Sequence, residues 1–331
     1  MIMALHPSIP LFFVSLCSSV FLISSTNSWF MAWLALEINL LSFIPLMLSN
    51  SKYSSESSLK YFLTQTLASV IVLASSLLGM IWLPVLSSMS LMLALLLKVG
   101  AAPTHHWLPA VAEGLMWSQV FILLTIQKLA PLILVSYLFS SKSIFTIMTI
   151  YIVFSAVFGS IGGLVHPSLR KILSFSSIAH MSWILVSIQY SNFLWLNYFL
   201  LYTIILISVI YSFILTNSNK LSHLINKPSD SFSALLLVLP LLSLGGLPPF
   251  LGFLPKFLVL QQLMNYSNSF IFLILLSSTL ISLFFYIRIS IMAILNHRSN
   301  LTYSLESSPT LSGLSWNTVG LLIPSLLFLS I

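Results

Sequence analysis

Residues 91–109 read LMLALLLKVGAAPTHHWLP, and this stretch decides the fold. An apolar run carries one lysine, Lys98, and is followed at once by Gly100, two alanines and Pro103. Proline has no backbone N–H and its ring clashes with the preceding turn, so a helix does not run straight through Pro103. His105, His106 and a second proline, Pro109, follow within six residues. The pattern predicts a membrane helix broken near its middle, with an ionisable side chain beside the break. Non-helical backbone at membrane depth persists only where protein or trapped water satisfies its polar groups. The break therefore implies a buried, hydrated cavity at Lys98.

The composition requires a membrane. The 331 residues are 58% hydrophobic and only 5% charged, with a mean hydropathy of +1.07; soluble domains carry about 25% charged residues. The net charge of +7, from twelve basic and five acidic residues, invites a nucleic-acid reading, but the placement of the charges points to membrane topology instead. The single cysteine, Cys17, excludes a disulfide framework and any cysteine-ligated iron–sulfur or zinc site within the chain. No phosphate-cradling loop, dinucleotide fingerprint or nucleophile–base arrangement is present. Neither an Arg-rich amphipathic segment nor a signal-peptide cleavage pattern follows MIMALHPSIP, so no import address is expected.

A span needs about 20 apolar residues. That yardstick gives eleven, near 8–26, 29–49, 59–81, 86–113 (broken), 117–139, 144–165, 170–190, 193–216, 232–264 (broken), 269–295 and 310–331. The loops on one face then carry Lys52, Lys60, Arg170, Lys171, Lys220, Lys227 and Arg298, and those on the other only Lys142. Lysine and arginine excess marks the side of insertion, so the N-terminus is expected on the positive side. The second broken segment, PLLSLGGLPPFLGFLPK at 240–256, packs Gly245, Gly246, Pro248, Pro249, Gly252 and Pro255 into one span, with Lys256 after the break where Lys98 precedes its own. Gly/Pro-interrupted spans in corresponding positions mark inverted repeats with the working site at the interface. The expected organisation is all-α: a five-helix unit over 1–139, a second, inverted five-helix unit over 140–296, and a polar loop with a final helix over 297–331.

Four ionisable residues stand out near the middle of spans: Glu37, Lys98, Lys128 in LTIQKLAPL, and Lys256. At about 1.5 Å per residue each lies ~12–18 Å from the end of its span, near the middle of a hydrocarbon core about 30 Å thick. Each costs at least ~2.5–3.5 kcal/mol on insertion scales, about 10–14 together. One buried Glu–Lys pair with snorkelling lysines is the plainer structural explanation, but a lysine does not snorkel easily from mid-span. The alternative is a proton relay. Burial favours a neutral amine and an adjacent carboxylate favours the ammonium, so changing the field of Glu37 at Lys98 switches the amine between holding and releasing a proton. Lys128 and Lys256 then serve as successive carriers. His105 is a candidate proton-path residue, His106 a weaker one, and the adjacent pair makes a poor metal site. His180 suits helix–helix hydrogen bonding better than a polar path. Gly162 and Gly163 most simply allow close helix contact, and Glu113 is expected to be solvated.

The runs LEINLLSFIP (36–45), KYFLTQTLAS (60–69), LKVGAAPTHHWLP (97–109), IQKLAPL (126–132), LRKILSFSSIAHMSW (169–183) and GGLPPFLGFLPKF (245–257) strongly resemble the subunit 2 family of mitochondrial NADH:ubiquinone oxidoreductase, respiratory complex I, within the wider antiporter-like subunits. The resemblance covers roughly residues 29–260. It implies a mitochondrially encoded subunit of the inner membrane, with its N-terminus on the matrix side and the eleven spans of the shortened animal version. The implied activity is proton translocation driven by quinone reduction in other subunits. Glu37 and Lys98 would be the coupled pair, Lys128 the central relay and Lys256 the second-half lysine, and His105 falls at the histidine after the broken-helix proline. The implied partners are the lipid bilayer, neighbouring antiporter-like subunits and small membrane-arm subunits, with no nucleic acid. This chain would bind no cofactor itself; NADH, FMN, iron–sulfur clusters and ubiquinone would belong to other subunits. Where the family commonly has aromatic residues around the histidine this sequence has Thr104 and His106, and a common glutamate after Pro109 is Ala110, with Glu113 three residues on. Two rival readings share the architecture: a stand-alone cation/proton antiporter and a structural spacer in a membrane complex.

Overall fold

The computed structural model describes residues 8–48, 51–80, 84–138, 142–226 and 231–297. In chain order the helices are α1 (Ser8–Ser25), α2 (Trp29–Met47), α3 (Lys52–Met80), α4 (Pro84–Val99), α5 (Trp107–Gly114), α6 (Trp117–Leu124) and α7 (Ile126–Leu138). There follow α8 (Lys142–Val165), α9 (Leu169–Tyr190), α10 (Asn192–Leu215), α11 (Leu221–Asn226), α12 (Ser231–Gly245), α13 (Phe253–Asn265) and α14 (Ser269–His297). Among the described residues the only β-type pairing is an isolated antiparallel bridge between Ser168 and Lys220. Among the described residues seven segments are long and apolar enough to cross a membrane: α2, α3, α6 with α7, α8, α9, α10 and α14. Shorter apolar helices, α1, α4 and α12, complete the set, the last two continued beyond their breaks by α5 and α13. Ten of the eleven expected spans are thus accounted for. The eleventh, at 310–331, lies outside the described residues, as do Lys227 and Arg298.

Three boundaries differ from the expectation, each for a local reason. Helix α3 begins at Lys52, seven residues before the expected span. Its serines do not compete with the helix, because Ser55, Ser57 and Ser58 each donate their hydroxyl to the carbonyl three residues back. Glu56 and Lys60 add an exposed i,i+4 ion pair at 2.6 Å. The span expected to run unbroken from 117 to 139 is cut at Thr125 (φ −118°, ψ −84°). There both the N–H and the hydroxyl of Thr125 donate to the Phe121 carbonyl, at 3.1 and 2.7 Å. Pro131, further along α7, removes another rung of the ladder. Pro255 sits in the first turn of α13 rather than in the break, where its missing N–H costs nothing.

The chain folds as two compact units, Met1–Tyr151 and Ile152–Ile331. In the first, α3 packs against α2, α4 and α5, while α7 touches α1, α2, α4 and α6. In the second, α12 lies between α10 and α14, and α13 packs on α9, α10 and α14. Helix α9 is buried almost end to end despite its serines. Ser174, Ser176, Ser177, Ser182 and Ser187 all return their hydroxyls to carbonyls of the same helix, so these hydroxyls do not meet apolar neighbours unpaired. Exposed Phe21, Leu67, Phe193, Phe270, Leu280 and Phe284 form the kind of surface that lipid, not water, covers.

Small residues set the closest approach in the second unit. A Cβ at Gly159 would collide with the backbone nitrogen of Ala179, and one at Gly162 with the ring of Phe175; Gly163 lies under Phe285, whose ring would be 2.7 Å from the added carbon. Gly162 and Gly163 thus fit the close-contact role expected of them. The α8–α9 contact at Gly159 is backbone on backbone and has no flexible neighbour to give way. Gly159→Val should destabilise the folded chain by about 1–3 kcal/mol, seen as a fall in membrane-inserted, protease-resistant protein. An unchanged amount would show that α8 and α9 tolerate separation at this point.

Candidate functional site

The first break gives the carbonyls of Leu96, Leu97 and Lys98 at the end of α4 their own donors. Gly100 (φ +77°) ends the helix in the left-handed region that favours glycine. Its N–H donates to the Leu97 carbonyl at 3.1 Å and that of Ala101 to the Leu96 carbonyl at 3.1 Å, the two bonds of a Schellman cap. Side chains from elsewhere complete the cap: the Trp107 Nε1–H donates to the Leu97 carbonyl at 3.0 Å, and Gln65 Nε2 to the Lys98 carbonyl at 3.4 Å. A Cβ at Gly100 would stand 2.8 Å from Leu108 Cδ1, so α5 closes directly over the cap.

Lys98 projects from the last turn of α4 and is only 5% exposed. The half-buried carboxylate of Glu37 on α2 lies within electrostatic reach of it, yet the two form no ion pair within 4 Å. An ammonium held this way feels the carboxylate without being locked to it. His105 is 4% exposed and its Nδ1 lies 3.2 Å from the Pro103 carbonyl. A carbonyl only accepts, so this bond takes the Nδ1–H tautomer. The His106 ring lies tilted beside it, with ring centroids 4.4 Å apart, and is itself exposed, as is Glu113.

Lys128 stands two residues into α7, immediately after the Thr125 interruption. It is 2% exposed, and its Nζ is buried with no hydrogen-bond partner. A buried amine so placed is exceptional, because burying a polar group unpaired costs several kcal/mol. Three spans are therefore interrupted, and each interruption adjoins one of the three mid-span lysines.

The second break uses its lysine differently. Gly246 (φ +80°) ends α12, its N–H donating to the Ser243 carbonyl at 3.0 Å. Lys256, 7% exposed, reaches back from α13 and donates from Nζ to the carbonyls of Leu244 at 3.2 Å and Gly245 at 2.8 Å. It does for α12 what Trp107 and Gln65 do for α4, and a cation at a helix C-terminus is stabilising. A Cβ at Gly246 would sit 2.8 Å from Lys256 Cδ, so the glycine makes room for the lysine. Gly252 presses on the Ser243 carbonyl, leaving no space for any side chain. Pro248 and Pro249 occupy the turn between α12 and α13.

Lys256 also borders a small polar cavity, shared with His180, Ser176, Ser278, Thr279 and Tyr286. His180 Nδ1 is 2.9 Å from the Tyr198 hydroxyl, and its ring centroid lies 5.1 Å from that of Tyr202. His180 therefore both bonds between helices, as expected, and faces Lys256 across a polar space. Within the first unit, the structure brings Glu37 within electrostatic reach of Lys98. Sequence reading missed the uncharged partners: Gln65 and Trp107 at the first cap, Thr125 at the α6–α7 cut, and the tyrosines around His180.

The model of the family described as NADH:quinone oxidoreductase/Mrp antiporter, TM, matches residues 26–84 and 79–282. NADH-ubiquinone oxidoreductase chain 2 of Anopheles gambiae is 45% identical over 304 residues, covering 88% of this chain and 87% of its own. The protein of the same name from Didelphis virginiana is 37% identical over 319 residues, covering 90% and 91%. In structure, a chain of Thermus thermophilus respiratory complex I with bound aureothin superposes with a TM-score of 0.80 at 20% identity, over 97% of this chain and 78% of that one. A chain of the Mrp complex from Dietzia sp. superposes with a TM-score of 0.70 at 16% identity, over 91% and 61%. The two structures share the fold; the sequence relatives are matched across nearly their whole length. With its capped helix breaks and buried lysines, the chain belongs to the NADH-ubiquinone oxidoreductase chain 2 family.

Proposed function

We propose that this chain is a proton-translocating, non-redox subunit of the NADH:ubiquinone oxidoreductase of the mitochondrial inner membrane, moving protons along Glu37, Lys98, Lys128 and Lys256. The observation that carries the reading is Lys98: buried at a helix break, within the field of Glu37, and not ion-paired to it. Motion of either element changes the field at the amine and so its hold on a proton. Lys128 and Lys256 lie beside their own interruptions, where a small backbone change alters their surroundings. His105, at the turn between α4 and α5, is placed to accept a proton from the break.

No quinone, flavin or cluster chemistry is assigned to this chain; the energy would come from redox subunits to which the membrane arm is coupled. The neighbouring antiporter-like and small membrane subunits would cover parts of its apolar surface, and lipid the rest. The two units, each with a glycine-capped break and a lysine beside it, fit inverted repeats whose odd number of spans reverses the order of lysine and break. A chain of the Mrp complex shares the fold, but identities of 37–45% to chain 2 proteins favour NADH:ubiquinone oxidoreductase over a stand-alone antiporter. A pure spacer has no use for three buried lysines.

Replacing Glu37 by Gln removes the field while keeping the shape. An interaction of about 1–2 kcal/mol is reasonable for charges separated by more than an ion-pair distance at an effective dielectric of ~20, so coupled turnover should fall roughly tenfold. NADH-driven proton pumping by the assembled Glu37→Gln enzyme measures this, and unchanged pumping would remove Glu37 from the relay. The loop charges support an N-terminus on the matrix side. A tag fused there should resist protease in intact mitoplasts and be cut only when the membrane is opened; cleavage in intact mitoplasts would invert the topology.

A further inference from the structure

One buried hydrogen-bonded network in the first unit lies beside every relay residue of that unit and includes none of their charged atoms. Its centre is Gln127, next to Lys128 at the start of α7. The buried Gln127 amide donates from Nε2 to Asn39 Oδ1 on α2 at 3.1 Å and accepts at Oε1 from the Tyr61 hydroxyl on α3 at 2.9 Å. Asn39 is two residues from Glu37 on α2, which puts the two side chains about 200° apart on the helix. Asn39 therefore ties α2 to α7 and leaves Glu37 on a different face.

The network continues to the break. The Tyr61 ring packs against Trp107 with centroids 5.9 Å apart and edge-on to Phe43 at 5.3 Å. Trp107 donates to the Leu97 carbonyl, and Gln65, one turn along α3 from Tyr61, donates to the Lys98 carbonyl. Four elements are thus joined: α2 with Glu37, α3, α7 with Lys128, and the α4–α5 break with Lys98. Packing alone does not call for an amide here, because apolar groups in place of a buried hydrogen-bonded pair leave stability nearly unchanged. What the amide adds is direction. Its two bonds to two different helices fix the rotation of α7 where the Thr125 cut has freed it from α6.

We propose that Gln127 is a positioning residue: its amide clamps α7 to α2 and α3, holding Lys128 in register with Glu37 and with the break after Lys98. The proposal rests on the relay reading above. Gln127 does not titrate and touches no proton-carrying atom, so its influence reaches the relay only through the placement of Lys128 and the break.

The test uses the assembled enzyme carrying Gln127→Leu, Tyr61→Phe, both together, or Lys128→Met, with assembly scored on native gels and pumping expressed per assembled enzyme. Gln127→Leu should lower pumping about fivefold, as loss of a net hydrogen bond does, and should displace its pH profile. Since neither replaced side chain carries a proton in the relay, a displaced profile reports a changed setting of the groups that do. Tyr61→Phe should displace the profile in the same direction by less, and the double variant should be no worse than Gln127→Leu. A wild-type pH profile and per-enzyme rate in both single variants overturns the proposal, even if less enzyme assembles. If Gln127→Leu fails to assemble, Tyr61→Phe decides alone. Loss of pumping in Lys128→Met beside wild-type network variants overturns the positioning role only; normal pumping in Lys128→Met overturns the relay itself.

Discussion

A helix cut inside a bilayer exposes carbonyls that lipid cannot satisfy, and pairing them is the constraint on which the rest of this molecule depends. In the first unit the debt at the end of α4 is met by the backbone of Gly100 and Ala101 and by the side chains of Trp107 and Gln65. In the second it is met at the end of α12 by Lys256 itself. Both solutions need a glycine with positive φ, because any Cβ would strike the group that closes the cap. The partners must arrive from α3, α5 and α13, so the packing of the units follows from the breaks.

The two caps leave their lysines in different states of engagement. Lys98 has its carbonyl capped by another residue, and its ammonium is left to the field of Glu37. Lys256 spends its ammonium on two carbonyls and faces a polar cavity with His180 on the far side. Lys128 has neither arrangement: its Nζ is buried beside the Thr125 cut with no bonding partner. The second unit thus ties the ammonium of Lys256 directly to the carbonyls that end α12.

Much of this was legible in the residues. The run LLLKVGAAP and the cluster GGLPPFLGFLP locate both breaks, because proline and paired glycines cannot continue a helix. Mid-span Glu37, Lys98, Lys128 and Lys256 stand out against a chain that is only 5% charged. The cut at Thr125 did not show, since a threonine does not by itself end a helix and only its backbone turn reveals the interruption. The early start of α3 was hidden by a serine-rich stretch that looks like loop and folds as helix through hydroxyl-to-carbonyl bonds. Asn39, Tyr61 and Gln127 lie inside recognisable runs, but an uncharged amide gives no signal until its partners are known from three dimensions. Charge can be read from sequence, whereas the pairing of neutral polar groups across helices is a property of the packing.

The most direct test of the account is the number of protons pumped per electron pair by assembled enzyme in which Lys98 is replaced by methionine, which keeps the length and removes the charge. Methionine leaves the Gly100 cap and the Trp107 and Gln65 bonds in place, so assembly should be normal. The account predicts that coupled turnover and pumping collapse together. Normal turnover with a normal proton yield would contradict it and would make the buried charges part of the architecture alone.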